Sequence, residues 1–240
     1  MKEKTIKILH LYSRDMNIYG DRGNILCLKK RLEWFGYSPV VIEYNQGDDF
    51  PDDIDILVGG GGQDSGQSKI QKDLLRIGPK IRVLAESGVP MLVICGLYQL
   101  FGKFFKTSDS IMIKGINLLD IETFGKSERL IGNVITHNPQ FGDIVGYENH
   151  SGQTYLGKNV AVLGKVILGA GNNIEDVSEG ARYKSVIGTY LHGSLLPKNP
   201  KIADYLIEKA IIRKYGEFKL KKIDDSIADM ARKNAMKRPR

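Results

Sequence analysis

The sequence predicts an α/β fold in which a mostly parallel central sheet is flanked by helices, with added antiparallel strands in the C-terminal half. Two observations predict it. Short apolar runs alternate with helical patterns through the first half of the chain, and in the second half β-like pieces follow one another, separated by Gly and Asn.

Thr5 to Leu11 reads as a strand, Asn24 to Phe35 as a helix, Pro39 to Tyr44 as a second strand and Ile54 to Val58 as a third. Gln67 to Ser87 carries apolar residues at helical spacing (Ile70, Leu74, Ile77, Ile81, Leu84), with Gly78-Pro79 expected to kink or divide it. Met91 to Ile94 is a buried strand that ends at Cys95, and Tyr98 to Phe105 follows as a helix. Beyond lie the β-like segments Ile111 to Ile116, Ile131 to His137, Val160 to Leu168 and Ser185 to Thr189, and a last helix from Ile202 to Tyr215. This is a flavodoxin-like order. One domain is expected over residues 1–216, with a basic C-terminal tail over 217–240.

A chain of 240 residues with 42% hydrophobic content can bury one good-sized core. No apolar stretch is long enough to span a bilayer, and the polar start from Met1 to Lys7 is unlike a secretory leader, so a cytoplasmic location is expected. The two cysteines, Cys27 and Cys95, are expected to be reduced rather than bridged. Of the formal charge of +7, the stretch from Phe218 onward supplies a net +5, with eight basic residues against three acidic ones. The excess is therefore a tail, either solvated or in contact with a partner or an anionic lipid-linked substrate. No stripe of basic and aromatic residues suggests nucleic-acid binding.

The chemistry concentrates where strands end, which is where open α/β sheets place their sites. In Val93-Ile94-Cys95-Gly96-Leu97-Tyr98-Gln99, a cysteine follows a buried strand, precedes a glycine and opens a helix. That is the layout of a nucleophile elbow, in which the turn exposes the sulfur and the helix N-terminus favours the thiolate. A buried structural cysteine is the alternative, and Cys27, among helical apolar residues, is expected to be one. The run Gly59-Gly60-Gly61-Gly62 lets backbone N–H groups approach a carbonyl closely, as an oxyanion hole requires; a plain flexible loop is the other reading. Phosphate binding is disfavoured because neither Gly-Lys-Ser/Thr nor a helix-opening G-x-G-x-x-G is present. Tyr190-Leu191-His192-Gly193 places a histidine just past a late strand, where it can meet Cys95 in space. The four histidines and two cysteines show no metal-ligand spacing, so no metal site is expected.

With these residues in place, the chain resembles class I glutamine amidotransferases. Within that class it is similar to the branch related to cobyric acid synthase, through Tyr19-Gly20-Asp21-Arg22-Gly23-Asn24, Gly146-Tyr147-Glu148-Asn149-His150-Ser151-Gly152 and Gly188-Thr189-Tyr190-Leu191-His192-Gly193. The resemblance implies Cys95 as nucleophile, His192 as base and acid, and oxyanion donors from Gly96 and the loop at Gly60 and Gly61. It further implies Arg129 and Gln99 as substrate-binding residues. Many relatives carry a glutamate two residues after the histidine, where this chain has Ser194. Glu148, a backbone carbonyl or an acid from a partner are the alternatives for orienting His192.

Ser127 to Asn133 and Leu196 to Asn199 further resemble free-standing glutaminase subunits of lipid II amidation. That likeness implies a Mur-ligase-like, ATP-dependent partner that binds ATP and magnesium, L-glutamine as substrate, and no cofactor in this chain. A cobyrinate- or cobyrate-type acceptor is the nearest alternative. A cysteine-based sensor on a flavodoxin-like scaffold is the non-enzymatic one.

Overall fold

The computed structural model describes residues 4–219 and 221–238. Five strands form the parallel part of an 11-stranded sheet: β1 (Thr5–Leu11), β2 (Ser38–Tyr44), β3 (Ile56–Gly59), β4 (Met91–Ile94) and, from late in the chain, β11 (Val186–Thr189). Their order is β2-β1-β3-β4-β11, so β11 lies directly beside β4, with Thr189 opposite Ile94. β3, β4 and β11 are buried at every position, as expected for strands covered on both faces.

Helices α1 (Arg22–Phe35), α2 (Asp64–Glu86), α3 (Gly96–Phe101), α4 (Leu195–Lys198) and α5 (Pro200–Tyr215) surround these strands. In α1 the buried Ile25, Leu28, Leu32 and Phe35 form one stripe, and Gly36 ends the helix at φ 86°, a left-handed conformation suited to glycine. Against expectation, α2 starts earlier and is not divided: Pro79 lies inside a single helix. The buried Ile70, Leu74, Ile77 and Ile81 anchor the helix to the core on both sides of the proline despite the lost backbone bond. The helix expected from Tyr98 to Phe105 begins at Gly96 and stops at Phe101, and the chain re-enters the sheet as β5 (Phe104–Lys106). A Cβ at Gly102 would lie 2.8 Å from the Ile121 carbonyl oxygen, so the turn depends on that glycine.

The antiparallel half holds β6 (Met112–Lys114), β7 (Ile121–Asn138), β8 (Gly142–Leu156), β9 (Ala161–Leu168) and β10 (Ser178–Tyr183). It continues the sheet as β11-β10-β9-β7-β5-β6, with β8 paired to β7. The β7–β8 hairpin is far longer than the Ile131-to-His137 strand expected. Its register shifts between Gly125 and Leu130, a bulge that carries Arg129. Beyond residue 217 the chain forms a helix, α6 (Ser226–Met236). The buried Arg31 joins Asp204 of α5 to Asp225 at the head of α6, at 2.7 and 2.6 Å, which fastens this segment to the body.

Candidate active site

Cys95 occupies the sharp turn between β4 and α3 with φ 49° and ψ −105°, a strained conformation for a residue with a Cβ. The ladder to β11 stabilises it: the Cys95 N–H donates to the Thr189 carbonyl at 2.8 Å. Gly96 is the first residue of α3, so its N–H has no partner within the helix. A Cβ at Gly96 would fall 3.0 Å from the Gly62 nitrogen, which shows how closely the two backbones meet beside the thiol. Cys27 has only a protonated, unreactive thiol to offer, since burial pushes its pKa up to about 12.

His192 is fully buried and is held by a residue the sequence did not single out for this role. Its Nδ1 lies 3.2 Å from both carboxylate oxygens of Asp21, itself 2% exposed. The position of the missing glutamate has been put to another use: Ser194 Oγ donates to the Gly20 carbonyl at 2.6 Å, pinning the turn that presents Asp21. Burial alone would depress the His192 pKa. Attraction to the Cys95 charge and hydrogen bonding to Asp21 and Cys95 outweigh it, and the group is raised to about 10. His192 Nε2 is buried and faces the Cys95 sulfur, with no other hydrogen-bond partner among the described residues, which leaves it available to the sulfur and to a substrate.

Glu148 does not orient His192. It is buried elsewhere, accepting the Ala170 and Gly171 N–H groups at 2.9 and 2.8 Å, with His150 Nε2 3.8 Å away. Of the loop glycines expected as oxyanion donors, Gly61 is already engaged. Gly61 N–H donates to Asp21 Oδ2 at 2.7 Å, and Gly60 packs against the Met16 carbonyl, where a Cβ would lie 2.5 Å from the oxygen. Gly62 lines the cavity beside Cys95. The Gly62 and Gly96 backbones thus lie close together beside the thiol, while Gly61 gives passage: a Cβ there would stand 2.4 Å from His192 Cε1 and 3.2 Å from the Cys95 Cβ.

The cavity, about 360 Å³, is lined by Cys95, Gly62, Asp64, Gln99, Arg129 and His150, among others. Arg129 donates through Nε to Asn149 at 2.6 Å, leaving the rest of its guanidinium fork for a ligand. Asp64, at the start of α2, shares this cavity and feels the Arg129 charge. Gln99 lines the wall but is largely committed: Oε1 accepts from Gln67 at 2.7 Å and Nε2 donates to the Tyr190 hydroxyl at 3.1 Å. The ring of Tyr19, at φ 55°, stands edge-on to His192 at 5.0 Å at the mouth.

A strained cysteine on a strand–helix elbow, a histidine just past the adjacent strand and an aspartate behind it define a thiol-dependent acyl-transfer site on a parallel α/β sheet. The chain belongs to the CobB/CobQ-like glutamine amidotransferase family, whose model matches residues 7–200. It is 42% identical to a protein of Staphylococcus aureus named lipid II isoglutaminyl synthase (glutamine-hydrolyzing) subunit GatD, over 92% of this chain and 90% of that one. A Streptococcus pneumoniae protein of the same name is 39% identical over 88% and 83% of the two chains. A probable cobyric acid synthase of Methanococcus maripaludis is 31% identical over 78% of this chain but only 39% of its own length. The fold is shared with a solved glutamine amidotransferase at a TM-score of 0.56 and 15% identity, over 84% of this chain and 98% of that one.

Proposed function

We propose that this chain is the glutaminase subunit of a lipid II isoglutaminyl synthase, releasing ammonia for amidation of the D-glutamate α-carboxyl of the lipid II stem peptide. The observation that carries the chemistry is Cys95 on its elbow with His192 held by Asp21. The acceptor is supported by the names and near-complete overlap of the Staphylococcus and Streptococcus relatives. In this reading a Mur-ligase-like partner subunit binds ATP and magnesium, and this chain needs no cofactor. Work on a lipid-linked acceptor fits a cytoplasmic subunit close to the membrane, and no helix among the described residues is long and apolar enough to cross one.

Hydrolysis then follows from the residues present. The Cys95 thiolate, paired with imidazolium at His192, attacks the glutamine amide carbon, and the developing oxyanion turns to the Gly62 and Gly96 N–H groups. His192 gives its proton to the departing nitrogen as the C–N bond breaks, leaving a γ-glutamyl thioester. The neutral histidine next takes a proton from water, whose oxygen displaces the sulfur to yield glutamate. Arg129 and Asp64 offer opposite charges in one cavity, matched to the α-carboxylate and α-ammonium of a free amino acid.

Intact-mass analysis with a diazo-ketone analogue of glutamine tests this reading. Wild type and Cys27→Ser are expected to gain one adduct and Cys95→Ser none; wild type without an adduct overturns the glutaminase assignment. Adding a co-purified partner, ATP, glutamine and lipid II then tests the acceptor, and absence of amidated product removes lipid II while leaving the hydrolysis standing. For substrate binding, Arg129→Ala is expected to raise KM for glutamine by about tenfold or more, the scale of a charge-assisted hydrogen-bond pair. Asp64→Asn should raise KM for glutamine and leave that for glutaramate, which lacks the amine, unchanged. Equal effects on both substrates would remove Asp64 from recognition.

A further inference from the structure

Behind the catalytic pair lies a second carboxylate that the chemistry above does not use. Glu179, on β10, is 0% exposed. Its Oε1 accepts the Thr189 hydroxyl at 2.8 Å and the Tyr190 N–H at 2.9 Å. Thr189 Oγ1 in turn accepts the Leu191 N–H at 3.0 Å, so one carboxylate oxygen organises the whole turn from Thr189 to Leu191. Two strands of the site hang on that turn. The carbonyl of Thr189 holds the strained Cys95 N–H, and His192 follows Leu191 directly. Meanwhile Glu179 Oε2 is buried with no hydrogen-bond partner among the described residues.

A core designed only for stability would not leave a carboxylate half-satisfied, because an unpaired buried polar oxygen is destabilising. We propose that Glu179 is a positioning residue for glutamine hydrolysis, its ionised carboxylate bracing the turn that aligns the Cys95 elbow with His192. The inference rests on the glutaminase reading. Burial pushes the Glu179 pKa up to about 7, against the two hydrogen bonds that favour the charge, and the nearby Glu148 charge pushes the same way. Tyr98 also feels the Glu179 charge from α3. Protonation weakens the charge-assisted bonds to Thr189 and Tyr190, so the brace slackens as pH falls through about 7.

The linkage has a definite sign. A carboxyl group raised from 4.5 to about 7 on folding contributes stability that is present below pH 4.5 and lost as pH rises through about 7. The ionised brace therefore costs stability where it is useful.

Glu179→Gln keeps an oxygen that can accept both bonds and removes the titration. At pH 8 the variant is expected to have a kcat for glutamine several-fold below wild type, with KM within about twofold and a melting temperature no lower than wild type. At pH 6 the two enzymes should converge, the variant behaving at every pH as protonated wild type does. The rate of Cys95 alkylation by iodoacetamide across the same pH range gives a readout that needs no glutamine turnover. If wild type alkylates with a limb near pH 7 that Glu179→Gln lacks, the brace stands even where hydrolysis fails, and that failure counts against the glutaminase reading alone. A limb unchanged in Glu179→Gln, or a loss of rate that only tracks a lower melting temperature, overturns the proposal.

Discussion

Asp21→Asn is expected to lower kcat for glutamine hydrolysis by about 10⁴-fold while the protein stays folded, on the scale seen when the acid behind a catalytic histidine becomes an amide. The asparagine can still accept from the Gly61 N–H with its oxygen, so the loop survives. Its NH₂ group then faces His192 Nδ1, which must become an acceptor, and the ring is forced into the tautomer with hydrogen on Nε2. That tautomer cannot take the thiol proton. The pH profile should report the same change. In wild type the imidazolium is retained until pH approaches about 10, so activity that depends on the ion pair is held below that value and lost as pH rises through it. Without the Asp21 charge the alkaline limb moves to lower pH. Stability follows the same sign: the His192 contribution is complete below its ordinary 6.5 and disappears by about 10. A variant with wild-type kcat and an unmoved alkaline limb would remove Asp21 from the catalytic set.

Gly61→Ala is expected to be damaging as well, at about 10²-fold or more in kcat, through a single methyl group. Its Cβ would stand 2.4 Å from His192 Cε1 and 3.2 Å from the Cys95 Cβ, in the gap across which the proton moves. The ring has little room to retreat, because Nδ1 is tied to Asp21 and Tyr19 lies edge-on at 5.0 Å. Gly47→Ala is the control, since nothing lies within 4 Å of a Cβ there, although its φ of 92° makes some loss of stability expected. Steady-state kinetics with thermal melts separates the cases: Gly61→Ala should lose turnover out of proportion to stability, and Gly47→Ala the reverse.

The parallel half of the fold was legible because its central strands are short apolar runs, as in Ile56 to Val58 and Met91 to Ile94. Of the β7–β8 hairpin only Ile131 to His137 was, because many of its inward positions are polar. Thr123, Thr136, Glu148, His150, Gln153 and Thr154 are all buried, so the alternation that marks a strand is erased from the sequence. Cys95 and His192 each follow a recognisable strand, which is why both could be named. Asp21 lay within a noted motif, Tyr19 to Asn24, but its partner was hidden by topology. Only the order β2-β1-β3-β4-β11 shows that the loop after β1 and the loop after β11 open into one crevice. An acid placed just past the first strand was the available signal. Glu148, in a sequence equally rich in polar residues, is spent on the Ala170 and Gly171 amides instead.

The adjacency of β4 and β11 also says where this architecture can change. Cys95 and His192 lie just past the paired ends of β4 and β11, although all of β5 to β10 intervenes in the chain. Lengthening or shortening the turn between β5 and β6, or that between β8 and β9, leaves the β4–β11 register and the cavity lining untouched, whereas a one-residue slip in the register would invert every side chain along β11. The reactive centre is thus insulated from remodelling of those turns. A lineage could reshape the face it offers to other molecules by insertion and deletion there, while inheriting the same hydrolytic step intact.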